Sequence, residues 1–118
     1  MAKLEIKNMN SPDELRSLPK TKSEVVKVGE HTVMRGTFAP GWKWSECVKP
    51  AVGTDSCQVY HVLYVISGKM NVRMEDGTEK EIGPGDVGVI PPGHDAWVVG
   101  NEPCVSIDFT AGATYGKK

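Results

Sequence analysis

Asp55-Ser56-Cys57-Gln58-Val59-Tyr60-His61-Val62-Leu63-Tyr64-Val65-Ile66-Ser67-Gly68 is the stretch on which the reading of this chain turns. In an extended strand every second side chain faces the same way. Asp55, Cys57, Val59, His61, Leu63 and Val65 then share one face, which sets three metal-binding groups among aliphatic residues. An ordinary core strand would be aliphatic along that whole face. A second segment runs from Gly83-Pro84-Gly85-Asp86 to Pro91-Pro92-Gly93-His94 and brings another histidine after a short apolar strand, Val87 to Ile90. The two segments are expected to meet inside a small β-barrel and line its one pocket.

A length of 118 residues suits one domain and leaves no room for two good cores. Hydrophobic residues make up 39% and charged residues 25%, a balance that fits a folded soluble chain and not a disordered one. The net charge is -1, with lysines and acids scattered, so neither a nucleic-acid footprint nor a basic membrane-surface helix is present. No apolar run approaches the span of a bilayer, and the opening Met1-Ala2-Lys3-Leu4-Glu5 does not begin a secretory signal. Three cysteines are an odd count for a disulfide framework, which points to reduced thiols and a cytoplasmic location. With 13 glycines and 8 prolines the chain has many turns and short strands, the mark of an all-β fold.

Working outward, Lys3 to Asn8 alternates Leu4 and Ile6 with charged residues, as a guarded edge strand does. Ser11-Pro12-Asp13-Glu14 reads as a helix start, with Ser11 as N-cap and Pro12 at the first helical position; Pro19 limits it to about two turns. Strands follow at Glu24–Val28 and His31–Phe38. Trp42, Trp44 and Glu46 share a face of the next extended run, which ends at Val48. Lys49 to Thr54 reads as a loop. Lys69–Met74 and Glu79–Ile82 flank the Asp76-Gly77 hairpin turn, and Trp97–Val99 and Cys104–Phe109 complete the strands. Residues 111–118 lack an apolar period and read as a loose tail.

The glycine and proline skeleton from Ala39 to Phe109 resembles the cupins. Gly68 stands at the closing glycine of that family's first motif, while Gly85, Pro91 and Gly93 stand at their places in the second. The resemblance implies a jelly-roll barrel (a double-stranded β-helix) over about residues 23–110, preceded by a strand and helical turn in 1–22. It also implies a homodimer. In metal-binding cupins three histidines and a glutamate close around the ion. Here Asp55, Cys57, His61 and Ala96 occupy those positions, so the usual site is absent as written.

Metal binding must therefore be argued from the residues present. His94 lies two residues before Ala96, so both face the same way on a strand. Cys57, His61 and His94 supply three ligands, with Asp55 or Cys47 as a fourth; thiolate and imidazole favour zinc, iron or copper over magnesium or calcium. Such a site suits oxygenase, isomerase or lyase chemistry on a small organic substrate, with turnover itself left open. Tyr60, Tyr64, Trp97 and Glu46 are the candidate substrate contacts. A metal-free alternative keeps the pocket for ligand sensing or isomerisation, with His61 as acid or base. A third alternative is a decayed pocket in an oligomerisation module. Asp86 and Asp95 follow glycine-rich turns and are expected to bond backbone amides there.

Overall fold

The computed structural model describes residues 3–116. Two antiparallel hairpins open the fold. β1 (Glu14–Leu18) pairs with β2 (Thr21–Val28), and β2 pairs with β3 (His31–Phe38). Two short helices follow, α1 (Trp44–Cys47) and α2 (Lys49–Val52), before β4 (His61–Ser67), β5 (Lys69–Met74) and β6 (Glu79–Ile82). The chain then runs through β7 (Val87–Ile90), β8 (His94–Val99) and β9 (Cys104–Asp108).

These strands form two sheets, a six-stranded one in the order β1-β2-β3-β9-β4-β7 and a three-stranded one in the order β6-β5-β8. The core lies between them. Val25, Met34, Phe38, Leu63 and Val65 face inward from the larger sheet, and Met70, Ala96 and Val98 from the smaller. Their alternation with exposed or half-buried neighbours is the two-residue period of a sheet with one dry face.

The expected closed jelly-roll barrel is corrected by this topology. No ladder joins β6 to β7, the facing edges of the two sheets, among the described residues. The Gly83–Asp86 turn carries the chain from one sheet to the other, and a groove of about 390 Å³ lined by Ile82, Val87 and Ile90 lies between the edges.

The N-terminal helical turn is also replaced. Glu14–Leu18 is a strand, because Arg16 holds Glu14 at 2.6 Å and the Tyr115 carbonyl at 2.9 Å on the half-buried face. A two-turn helix could not compete with a full ladder to β2. Lys3 to Asn8 pairs with no strand, and Leu4 and Ile6 are 88% and 82% exposed.

The run after Gly41 coils where extension was expected. Asp95 accepts the Ser45 amide at 3.1 Å and so ties the start of α1 to β8. Trp42 and Trp44 remain buried despite the change. The tail expectation fails as far as residue 116: Ala111 and Tyr115 are buried, while 117–118 lie outside the described residues. No helix among the described residues is long and apolar enough to cross a membrane.

Candidate metal centre

His61 opens β4, and the inward phase it shares with Leu63 and Val65 buries its ring. Asp108, which ends β9, lies beside it because Leu63 and Asp108 are register partners. Oδ2 of Asp108 accepts the His61 Nδ1 proton at 2.6 Å. Its other oxygen accepts the amides of Thr110 at 3.0 Å and Ala111 at 2.9 Å, which fixes the carboxylate. With Nδ1 as donor, His61 presents the Nε2 lone pair, and this nitrogen lies 3.7 Å from Cys57 Sγ.

His94 is oriented in the same manner. Its Nδ1 lies 2.7 Å from the Pro91 carbonyl, which can only accept, so the nitrogen donates and Nε2 is left as the ligating atom. The backbone then locks Cys57 against His94. The Cys57 amide donates to the His94 carbonyl at 2.8 Å, and the Cys57 carbonyl accepts from Gly93 at 2.7 Å. Cys57 thereby sits at the free edge of β8 although residues 58–60 form no strand.

Cys57, His61 and His94, all buried, place ligand atoms within 4.8 Å of one another. The two imidazoles stand 5.1 Å apart between centroids at 66°. Burial pushes the Cys57 thiol up to about 11 and holds His94 down at about 4. Without a cation the thiol is therefore protonated and the imidazole of His94 neutral at pH 7. One thiolate-forming sulfur and two nitrogens held as lone-pair donors suit zinc, ferrous iron or copper. The 3.7 Å between Sγ and Nε2 matches the roughly 3.5 Å between N and S donors around a tetrahedral ion of this size. The cluster is a non-standard site for a divalent transition metal inside the fold.

The other expected site residues are placed apart from it. Asp55 is fully exposed and 3.8 Å from Lys49 Nζ, and Cys47 is buried but outside the cluster. Tyr60 and Tyr64, 47% and 42% exposed, face away from the core, and Glu46 is exposed on α1. Trp97 lies half-buried on the far face of β8, beneath Lys43 Nζ at 5.5 Å from its ring. Trp42 and Trp44 line the inner cavity instead. Asp108 and Tyr115 were missed by sequence reasoning. The signal for Asp108 was there: Cys104, Ser106 and Asp108 share the inward face of β9, and a carboxylate there needs a partner.

The cavity beside the cluster measures about 40 Å³ and is walled chiefly by apolar side chains, with His61, His94, Ser106, Asp108 and Tyr115 as its polar part. The sequence model of the EutQ-like cupin domain matches residues 34–106. No protein of curated function matches. A protein of unknown function from Rhizobium leguminosarum bv. viciae superposes with a TM-score of 0.66 at 22% identity, over 92% of this chain and 97% of that one. The oxalate decarboxylase of Lactobacillus farciminis, solved with formate, gives 0.63 at 17% identity over 86% of this chain and 31% of its own. KdgF from a Halomonas species gives 0.59 at 19% identity, over 92% and 91%. Likenesses at this identity speak to fold alone.

Proposed function

The chain belongs to the EutQ-like cupin domain family, and on that premise we propose that it binds and turns over a small organic molecule beside a transition metal held by Cys57, His61 and His94. The observation that carries this reading is the opposed anchoring of the two histidines. Asp108 and the Pro91 carbonyl each accept a hydrogen bond from an Nδ1–H, so both Nε2 atoms are left as lone pairs. When bound, the metal supplies Lewis-acid polarisation of a substrate oxygen. The chain's own residues orient the ligands, exclude water with an apolar wall, and leave Ser106 and Tyr115 facing the guest.

The test is elemental analysis of untagged protein. About one equivalent of zinc, iron or copper, lost in Cys57→Ala, supports the reading. Less than about a tenth of an equivalent, with no gain on reconstitution, ends it.

A second reading has its own observation. In the metal-free site Asp108, His61 and Cys57 form a chain, 2.6 Å and then 3.7 Å, in which His61 Nε2 is free to act as acid or base. The two readings exclude each other at that atom, since a nitrogen that ligates a metal cannot also take a proton. Turnover or ligand stabilisation indifferent to a chelator selects the second.

The proposal extends to setting and assembly. Three free, buried thiols support a reducing cytoplasmic environment. An apolar strand at the end of the larger sheet supports a homodimer. A balanced charge supports a small-molecule partner in preference to nucleic acid.

A further inference from the structure

We propose that Tyr115 orients the guest of the inner cavity, and that the guest is a small uncharged molecule carrying one carbonyl or hydroxyl oxygen. This rests on the reading of the cavity as a binding site, and not on the metal.

The hydroxyl of Tyr115 is the one buried side-chain polar atom without a hydrogen-bond partner among the described residues. Such a group is rare, and leaving it unpaired costs about 1–3 kcal/mol. Its position is not loose. The Tyr115 amide donates to the Ala111 carbonyl at 2.9 Å, the Ala111 amide is held by Asp108 at 2.9 Å, and Arg16 binds the Tyr115 carbonyl at 2.9 Å. The ring packs edge-on against Phe38 at 6.3 Å and lies 5.7 Å from His61, on the cavity wall. A donor fixed this firmly with nothing to donate to is a preformed site for a guest's oxygen. A phenol carries one O–H to donate.

The wall defines the guest. It contains no lysine or arginine, and its only charged side chain, Asp108, is already bonded to His61. In the metal-free cavity a carboxylate or phosphate would lose its hydration without gaining a counter-charge. A polyol would bury hydroxyls against Met34, Leu63 and Met70 with no partner. A space of about 40 Å³ holds about three waters, or a compact molecule of about three to four non-hydrogen atoms.

Methionine methyl resonances provide the test, because Met34 and Met70 line the cavity. Protein labelled with [methyl-13C]methionine and stripped with chelator is titrated with acetone, with its oxygen-free isostere 2-methylpropene, and with acetate, and zinc uptake is measured on a separate, reloaded sample. We expect saturable shifts of Met34 and Met70 with acetone, affinity for acetone about fivefold above 2-methylpropene, as one hydrogen bond gives, and no saturable shift with acetate. Tyr115→Phe should erase the acetone preference and leave 2-methylpropene binding and zinc content unchanged. Retention of the preference in Tyr115→Phe, or acetate binding as tight as acetone, overturns the proposal. The wild-type comparison stands by itself should the variant misfold: equal affinity for acetone and its isostere, or no response to either, also overturns it. Failure of the metal reading shows separately as absent zinc uptake with the acetone preference intact.

Discussion

Asp108 is where the chemistry of single side chains is concentrated, since one carboxylate sets the His61 tautomer and, through Ala111, the segment that carries Tyr115. A metal-ligating histidine that loses its outer carboxylate typically loses 10–100-fold in metal affinity. Asp108→Asn is therefore expected to weaken zinc binding by about that factor, measured by competition with a chromophoric chelator, with the sheet signature in circular dichroism retained. His94 offers a second check. Its ordinary value of 6.5 falls to about 4 in the fold, chiefly through burial, so the native state favours the neutral ring. Because the folded value is depressed, this contribution is present above pH 6.5 and is lost as pH falls from 6.5 toward 4. The loss is about 3 kcal/mol in the metal-free protein. Urea midpoints across that window should fall steeply in the wild type and more gently in His94→Gln; parallel profiles would contradict the assignment. The sequence showed Cys57, His61 and His94 as one cluster because period-two facing survives a local break. It could not separate Asp55 from them, because the chain bends at Asp55 and Ser56 and the period-two facing ends there, leaving Asp55 in solvent.

At the scale of elements, β3, β5, β6 and β7 keep the bounds read from the sequence, since each has clear alternation or a turn at both ends. The segment 42–60 and the opening of the chain were illegible for a shared reason. Their conformation is decided by distant partners: Asp95 for the Ser45 amide, β8 for Cys57, and Tyr115 for Arg16. Asp95, like Asp86, which holds the Gly83 amide at 2.8 Å, does bond turn and strand backbone as its place after a glycine-rich turn suggested. Gly68 shows how a single position joins elements. It alone separates β4 from β5, has φ 75, and a Cβ there would stand 2.2 Å from the Pro103 carbonyl oxygen at the entrance to β9. Backbone cannot yield as a flexible side chain can. Gly68→Ala is thus expected to cost about 3 kcal/mol or more, from the left-handed conformation together with the clash. Equilibrium urea unfolding reads it directly, and a loss below about 1 kcal/mol would mean that the turn adapts.

At the scale of the whole molecule, the larger sheet presents an uncovered apolar outer face. Tyr64 and Val87 are cross-strand partners on the solvent side of the larger sheet, 42% and 69% exposed, with Val89 at 61%, Ile66 at 48% and Phe109 at 54% around them. The same sheet is polar toward its other end, where Arg35 and Glu24 form a bidentate pair. β7 is moreover a bare edge, Val-Gly-Val-Ile, without the charge or proline that usually blocks further pairing. The chain's own spare segment, residues 3–8 with exposed Leu4 and Ile6, does not cover it. Glu5 lies beside Gly29, at the β2–β3 turn, whereas β7 lies three to four strand spacings away across the sheet, about 14–19 Å. A second copy stacked outer face to outer face about a two-fold axis would cover both patches at once, the residues of one meeting the same residues of the other. Light scattering coupled to size exclusion is expected to give twice the 12.8 kDa chain mass. Val89→Lys, which places a charge in the centre of the patch on the solvent face, away from the buried metal ligands, should shift the protein to monomer while metal content stays at the wild-type level. A wild-type monomer at micromolar concentration, or a Val89→Lys protein that remains dimeric, would leave this face to another partner and remove the argument for assembly through it.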